Sequence, residues 1–161
     1  MEIPGHSRNT APQASADDVM TAALNKRLYT AEATVQGGRS GHGRSADGIL
    51  DLDIRPPKEL GGDGEGTNPE ELFAVGYGAC FQGAMGVVGR RMKVDTSGST
   101  VTARVTLGTI DGGGYGLAVE LTVEIPGVDH ETAEKVVHAA HEVCPYSNAT
   151  RGNIEVDLKV L

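Results

Sequence analysis

The fold of this chain depends on residues 67–92, which read TNPEELFAVGYGACFQGAMGVVGRRM. Two helix-start signals overlap at the beginning of this stretch. Thr67, with Glu70 three residues later, forms a capping box, in which each side chain bonds the other residue's backbone N–H. Asn68 followed by Pro69 offers an alternative cap, with proline at the first helical position. Both signals predict a helix that begins here, and they differ in which residue caps it.

The body of the predicted helix is apolar on every side. Between Leu72 and Val88 the only strongly polar side chain is that of Gln82. A helix that is apolar all round is buried all round, so we predict a central core helix. A membrane span, which needs about 20 apolar residues, is the competing interpretation. The acidic start and a mean hydropathy of -0.23 disfavour it, as do four internal glycines, Gly76, Gly78, Gly83 and Gly86.

One face of this helix carries small residues. Gly76, Ala79 and Gly83 recur at helical spacing, so a second helix can approach closely on that side. Cys80, one of only two cysteines in the chain, lies in the middle of the same helix. The stretch therefore combines a core element, a close-packing face and a thiol.

The composition favours a single acidic domain. The chain has 161 residues, enough for one domain with a real core, and a formal charge of -8. That charge and a pI near 5.0 disfavour nucleic acids and anionic membranes as partners, because their phosphates would be repelled. Aromatic residues make up only 4% of the chain, which disfavours base stacking. No basic segment followed by an apolar run opens the sequence, so we expect a cytoplasmic protein.

The first part of the chain predicts a leader and a β-hairpin. Residues 1–27 are expected to be disordered or partly helical, and we assign the folded domain to residues 28–161. Apolar and polar residues alternate over 28–36, which predicts a strand. A glycine-rich bend at 37–41 then leads to a second strand, whose apolar residues are Leu50, Leu52 and Ile54.

The second part predicts another hairpin, a helix and a strand. A loop at 55–66 leads into the central helix, and hairpin strands follow at 101–110 and 117–125. A second helix runs from the cap at 129 to about 143, and a last strand covers 154–161. The apolar stripe of the second helix consists of Ala133, Val136, Val137 and Ala140. This order of elements, without a regular βαβ repeat, is typical of the α+β class.

The two cysteines are the first candidates for chemistry. Free cysteines are often simply buried apolar residues, and this interpretation stays open for Cys80 and Cys144. Cys80 lies deep inside a helix, where the helix dipole does little to lower its pKa, so its activation requires a nearby cation. Arg39 at the glycine-rich bend is a candidate for that cation, and its alternative is an ordinary solvated turn residue. Cys144 precedes Pro145, which ends the second helix.

A metal site on the second helix is a rival hypothesis. Glu134, His138, His141 and Cys144 recur at steps of four, three and three residues, so all four can line one helix face. The alternative is a solvated polar flank with ordinary surface histidines, because the apolar stripe of this helix faces the core. The site that we predict contains no metal. A metal- or ligand-binding protein is the rival from a different functional class.

Four segments of the chain resemble the organic hydroperoxide resistance proteins, Ohr, of the OsmC-like superfamily. They are LYTAEATVQGGRSG (28–41), GTNPEELFAVGYGACFQGAM (66–85), GGYGLAVELTVEIPG (113–127) and AHEVCPYSNATRGNIEV (140–156). The resemblance covers residues 28–161, including both cysteines and their flanks. It implies an OsmC-like fold, with antiparallel hairpins packed around a long buried helix and a second helix. It also implies an intertwined homodimer with the active site at the interface.

The resemblance assigns roles to individual residues. It implies a thiol-dependent peroxidase with Cys80 as the peroxidatic cysteine and Cys144 as the resolving one. Arg39 matches the activating arginine, and Glu70 matches the carboxylate that holds it. No bound cofactor is implied, and a lipoyl dithiol such as dihydrolipoamide or a lipoylated protein reduces the resulting disulfide. Four aromatic residues are candidates for an apolar substrate pocket, with core packing as their alternative role: Phe73, Tyr77, Phe81 and Tyr146.

One geometric conflict accompanies these assignments. Glu70 precedes Cys80 by ten residues, which is about 15 Å and 280° in a straight helix, so one arginine cannot easily bond both. Either the helix breaks near Gly76 and Gly78, or a partner chain supplies one of the groups, and the sequence leaves both open. We predict a homodimeric peroxidase for organic hydroperoxides. A general OsmC-type peroxidase with less preference for organic substrates, and a redox sensor without turnover, are the alternatives.

Overall fold

The computed structural model describes residues 22–161. The chain divides into two units, of which the second comprises Ala33–Leu161. In the described part of the first unit, residues 22–32, no helix or strand forms and the side chains are exposed. The leader predicted at 1–27 falls mostly on residues outside the described range. All of the elements below belong to the second unit.

The second unit contains two three-stranded sheets and three α-helices. Its elements are β1 (Ala33–Gln36), β2 (His42–Ser45), β3 (Asp51–Asp53), α1 (Pro69–Met92), β4 (Thr100–Thr109), β5 (Tyr115–Glu124), α2 (His130–Val143), α3 (Pro145–Thr150) and β6 (Val156–Val160). The strands β1, β2 and β3 form one antiparallel sheet in sequence order. In the other sheet β5 is central, antiparallel to β4 and parallel to β6. The predicted α+β class is confirmed.

The helix α1 begins at the second of its two start signals. The side chain of Asn68 accepts a hydrogen bond from the backbone N–H of Glu71 at 2.9 Å, and Pro69 occupies the first turn, where its missing N–H costs nothing. The helix ends at Lys93, whose positive φ of 57° stops the regular hydrogen-bond ladder. It runs without interruption through Gly76 and Gly78, so the helix break that the sequence left open as one of two explanations does not occur.

The core lies between α1, the β4–β5–β6 sheet and α2. Alternate residues of β5 and the loop after it point inward, and the predicted stripe of α2 is fully covered, as expected from their periodicity. The buried apolar residues of this cluster are Tyr77, Phe81, Ala84, Met85, Val88, Val119, Leu121, Val123, Ile125, Ala133, Val136, Val137, Ala140 and Cys144. Asp129 caps α2 by accepting the backbone N–H of Thr132 at 2.9 Å.

Only one side of α1 is buried, which corrects the prediction of burial all round. Val75 is 73% exposed, and Leu72, Ala79 and Gly83 are exposed on the same side of the helix. The reason is that the sheet and α2 lie against the opposite side. By length and composition α1 is the one helix within residues 22–161 that is apolar enough to cross a membrane. Because seven of its residues are buried in the core, we interpret it as a core helix.

The first sheet differs from the predicted hairpin in two ways. A middle strand, β2, lies between the two predicted strands, and its sequence HGRS has no apolar alternation that could have indicated it. The predicted strand at 28–36 is reduced to β1, because β2 has only four residues to pair with and a turn at Gly48 ends it. The predicted second strand is observed as β3, with Leu52 opposite Gly43 of β2.

Candidate active site

The two cysteines lie in contact. Cys80 is at the start of the fourth turn of α1, and Cys144 is at the junction where α2 ends and α3 begins. Their Sγ atoms are 3.7 Å apart, with the Cys144 thiol placed to donate to Cys80, and both are free thiols. Cys144 is fully buried and Cys80 is partly exposed. A reagent from solvent can therefore reach Cys80 more easily than Cys144.

The surroundings of Cys80 within one chain favour the neutral thiol. Burial raises the pKa of Cys80 and is the largest effect on it, and the neighbouring Cys144 raises it further. The backbone N–H of Tyr146 donates to the Cys80 sulfur and acts in the opposite direction. Within residues 22–161 no guanidinium or ammonium is among the groups that shift this pKa. A single chain thus leaves Cys80 mostly protonated at neutral pH.

Arg39 and Glu70 form a bidentate ion pair. The two guanidinium nitrogens of Arg39 donate to the two carboxylate oxygens of Glu70 at 3.0 and 2.7 Å. Arg39 follows β1 in a tight turn in which Gly37 and Gly38 have φ values of 79° and 57°, a region that residues with a Cβ rarely adopt. The hydrogen bonds from Arg39 lower the pKa of Glu70, and the same contact raises the pKa of Arg39. Glu70 is therefore ionised and Arg39 is held in one orientation.

The ion pair and the thiols are separate within one chain. Glu70 is in the first turn of α1 and Cys80 is ten residues later in the same unbroken helix, a rise of about 15 Å. Of the two explanations that the sequence left open, a helix break is excluded. An effect of Arg39 on Cys80 accordingly requires a second copy of the chain.

Three of the four predicted pocket aromatics contact one another. The rings of Phe73, Tyr77 and Tyr146 have centroids 5.6–6.0 Å apart. Only Tyr146 is notably exposed, at 38%, whereas Tyr77 is fully buried. Phe81 is also fully buried in the core, so it does not line an open pocket, and its alternative role of core packing is the observed one.

A cavity beside Arg39 involves residues that the sequence did not single out. Its volume is about 330 Å³, and it is lined by Arg39, Leu60, Leu107 and Tyr115. Leu60 is 58% exposed in the loop before α1, and Tyr115 is 77% exposed at the β4–β5 hairpin. The sequence did contain one signal for this cavity. Leu60 and Tyr115 are large apolar side chains next to turns, where residues are usually polar.

The sequence also contained no indication of a buried polar network around Ser147, three residues after Cys144. The hydroxyl of Ser147 lies 2.9 Å from the Tyr77 hydroxyl and 2.9 Å from Nδ1 of His141. The Tyr77 hydroxyl lies 3.1 Å from Oγ1 of Thr150. Burial lowers the pKa of His141, and the charge of nearby Arg151 lowers it further, so this imidazole is neutral at neutral pH.

The rival metal site does not assemble. Glu134 pairs with His130 at 3.3 Å, His141 bonds Ser147, and Cys144 contacts the other cysteine. In the part of the chain that the structure describes, no three His, Cys, Asp or Glu side chains lie close enough together to hold an ion. The helical spacing of these residues is therefore not accompanied by convergent side chains.

Comparisons with known proteins give consistent similarities. A family model described as OsmC-like protein matches residues 62–159. The organic hydroperoxide resistance protein of Xanthomonas axonopodis pv. citri is 50% identical over 139 residues, which cover 85% of this chain and 97% of that protein. A crystal structure of an organic hydroperoxide resistance protein from Elizabethkingia anophelis, with thiocyanate bound, has 54% identity and a TM-score of 0.80, covering 84% and 97% of the two chains. The crystal structure of OhrB from Bacillus subtilis has 44% identity and a TM-score of 0.78, covering 84% and 100%.

Proposed function

This chain belongs to the OsmC-like protein family, and from this premise we propose that it is a thiol peroxidase that reduces organic hydroperoxides to alcohols. The observation that carries the proposal is the 3.7 Å contact between the Sγ atoms of Cys80 and Cys144, of which Cys80 is the more exposed. Two thiols in contact suit a reaction that oxidises one of them and then closes a disulfide with the other. The names of the relatives supply the substrate class.

The first step is a nucleophilic displacement by Cys80. Its thiolate attacks the terminal oxygen of the hydroperoxide, the O–O bond breaks, and the leaving alkoxide takes a proton to become the alcohol. The sulfur loses two electrons and becomes the sulfenic acid, and the peroxide gains those two electrons. Only the thiolate attacks, and burial raises the pKa of Cys80, so this step requires a positive charge beside the sulfur.

The second step is resolution by Cys144. Its sulfur attacks the Cys80 sulfenic acid, the S–S bond forms, the S–O bond breaks, and the hydroxyl leaves with a proton as water. An external dithiol of the lipoyl type then reduces the disulfide by thiol exchange and becomes a disulfide itself. The protein needs no bound cofactor for this cycle. We assign it to the cytoplasm, where a thiol pool keeps such cysteines reduced.

The positive charge comes from Arg39 of a second protomer in a homodimer. The carboxylate of Glu70 fixes the guanidinium of Arg39, and the partner's Arg39 is proposed to lie beside Cys80. Support for a dimer comes from apolar side chains that the described residues leave uncovered: Val75 on α1, Val35 on β1 and Leu50 before β3 are 73%, 56% and 51% exposed. A two-fold dimer joins such surfaces and creates two equivalent sites.

The organic group of the substrate is proposed to occupy the cavity beside Arg39. Leu60, Leu107 and Tyr115 give this cavity an apolar lining, and Arg39 is its one charged wall. Apolar contacts favour a peroxide that carries a hydrocarbon group over hydrogen peroxide, which has none. Phe73 and Tyr146, whose ring centroids lie 5.8 Å apart within one chain, are proposed to complete this pocket when the dimer forms.

The experiment that tests this proposal is peroxide consumption driven by dihydrolipoamide. Cumene hydroperoxide and hydrogen peroxide are compared side by side, with Cys80→Ser as the control. The expected result is catalytic consumption of both, faster for cumene hydroperoxide, and none by Cys80→Ser. Equal rates for the two peroxides would favour a general OsmC-type peroxidase, and a single oxidation without turnover would favour a redox sensor.

A further inference from the structure

The buried network around Ser147 connects all three helices near the cysteines. Ser147 bonds Tyr77 of α1 and His141 near the end of α2, each at 2.9 Å, while itself belonging to α3. Thr150 of α3 bonds the same Tyr77 hydroxyl at 3.1 Å and donates to the carbonyl of Tyr146 at 3.0 Å. Tyr77 and Ser147 are fully buried, so water cannot take over these hydrogen bonds when one partner is removed.

The segment between these anchors carries the polar contacts of Cys80. His141 lies before this segment, residues 144–146, and Ser147 directly follows it. The Cys144 thiol reaches the Cys80 sulfur, and Pro145 has no N–H, so the next donor is the N–H of Tyr146, which bonds that sulfur. Both contacts therefore depend on where residues 144–146 lie relative to α1.

The short helix α3 cannot hold this position alone. It has six residues, fewer than an isolated helix needs to be stable, so its place depends on tertiary contacts. Its two buried residues, Ser147 and Thr150, are both polar, and both bond Tyr77. Tyr77 in turn is three residues before Cys80 on α1, about one turn away.

We propose that Tyr77, Ser147 and His141 are positioning residues for the thiol reaction. They fix residues 144–146 against α1, so that the Cys144 thiol and the Tyr146 N–H stay on the Cys80 sulfur. This inference rests on the proposed peroxidase function and deepens it. Without the Ser147 hydroxyl, the segment loses its common anchor to α1 and α2, and both contacts lengthen together.

Two measurable effects follow from a displaced segment. The Tyr146 N–H stabilises the Cys80 thiolate, so its withdrawal raises the Cys80 pKa. Closure of the disulfide requires aligned sulfur atoms, and a misplacement of about 1 Å can slow such a step by about a hundredfold. We therefore expect closure to slow by about ten- to a hundredfold, while the initial attack at high pH, where Cys80 is ionised anyway, changes little.

The test uses the full chain with Ser147→Ala and the milder Tyr77→Phe, which keeps the ring. The matched control is Ser99→Ala, because Ser99 is also buried and bonds α1, through Gln82 at 3.3 Å, but outside this network. Reduced proteins receive one equivalent of cumene hydroperoxide. Rapid quenching and mass spectrometry then separate formation of the Cys80 sulfenic acid from closure of the disulfide. The pH dependence of Cys80 alkylation gives its pKa.

The expected result is slow closure and a raised Cys80 pKa in Ser147→Ala and Tyr77→Phe, with both quantities at the wild-type level in Ser99→Ala. Wild-type closure and pKa in folded Tyr77→Phe and Ser147→Ala would overturn the inference, as would equal changes in the control. If the wild-type protein does not react with the peroxide, the proposed function fails. In that case the Cys80 pKa from alkylation still tests whether the network positions residues 144–146. A pKa that the two substitutions leave unchanged overturns that inference.

Discussion

Mixed dimers that combine Arg39→Ala with Cys80→Ser test where the charge of Arg39 acts. If each Cys80 uses the partner's Arg39, a mixed dimer has one intact site, because one protomer supplies the cysteine and the other the arginine. Random mixing of equal amounts makes about half of the dimers mixed, so about a quarter of all sites become intact. If Arg39 served the Cys80 of its own chain, mixing would restore none.

The structure sets the size of the electrostatic effect. Within one chain the guanidinium of Arg39 is bonded to Glu70, about 15 Å along α1 from Cys80. With an effective dielectric constant of about 20, the interaction at that distance is about 1 kcal/mol, and salt screening over a Debye length of about 8 Å reduces it to roughly 0.1 pKa unit. A guanidinium in contact with the thiolate lowers its pKa by about 1–3 units.

The assay measures the second-order rate of Cys80 oxidation against pH. Arg39→Ala alone should raise the apparent pKa of Cys80 by about 1–3 units, and Arg39→Lys should recover part of the rate, because an ammonium lacks the planar fork. Two affinity tags isolate the mixed dimer, and circular dichroism confirms folding. If the Arg39→Ala homodimer is slow and the mixed dimer regains no activity, Arg39 does not act on the Cys80 of the other protomer. If the Arg39→Ala homodimer oxidises Cys80 as fast as the wild type, Arg39 is only a turn residue.

Three further substitutions probe the resolving cysteine, the aromatic contact and the ion pair. Cys144→Ser should react once and stall with an oxidised Cys80, and repeated turnover with dihydrolipoamide in a peroxide-consumption assay would contradict this. Gly76→Ala puts a Cβ 2.9 Å from the hydroxyl of Tyr146. The higher helix propensity of alanine adds about 1 kcal/mol to the free energy of unfolding, and the displaced Tyr146 ring removes a similar amount, so the melting temperature should change little. Disulfide closure should slow because Tyr146 has moved, and closure at the wild-type rate would contradict this prediction. The ion pair lowers the pKa of Glu70, so it stabilises the fold above about pH 4.3, and this stabilisation is lost as the pH falls through the lower folded pKa. Because the arginine is half exposed, Glu70→Gln should lose only about 0.5–1 kcal/mol of unfolding free energy at neutral pH and almost none at about pH 2. Urea titrations at both pH values measure this loss. An equal loss at both would show that the ion pair is not the source of the lost stability.

The elements that face the core were predictable from periodicity. The β4–β5 hairpin and α2 each bury one face, so their apolar spacing follows their structure closely. The first sheet has no such covered face: every residue of β1 is exposed, and β2 is defined by backbone pairing on both sides. Sequence patterns report burial, and therefore they missed β2 and overestimated the length of β1.

Only those parts of the candidate site to which the family resemblance assigned residues were predictable. The resemblance put Cys80 and Cys144 together, and spacing alone exposed the conflict between Glu70 and Cys80 on one helix. The Tyr77–Ser147 bond joins residues 70 positions apart, and no periodic pattern carries such information. The same holds for the cavity beside the ion pair, whose walls come from a loop and a distant hairpin.

Mapping of the disulfide after oxidation tests directly whether Cys80 and Cys144 react with the peroxide as one catalytic pair. Reduced protein receives one equivalent of cumene hydroperoxide, and peptide mass spectrometry of the unreduced digest identifies the linked peptides. We expect one bridge, between Cys80 and Cys144 of the same chain, formed as one equivalent of alcohol appears, because these two thiols are already in contact at 3.7 Å. Only intermolecular bridges, or two thiols that remain free while the peroxide is consumed, would contradict it.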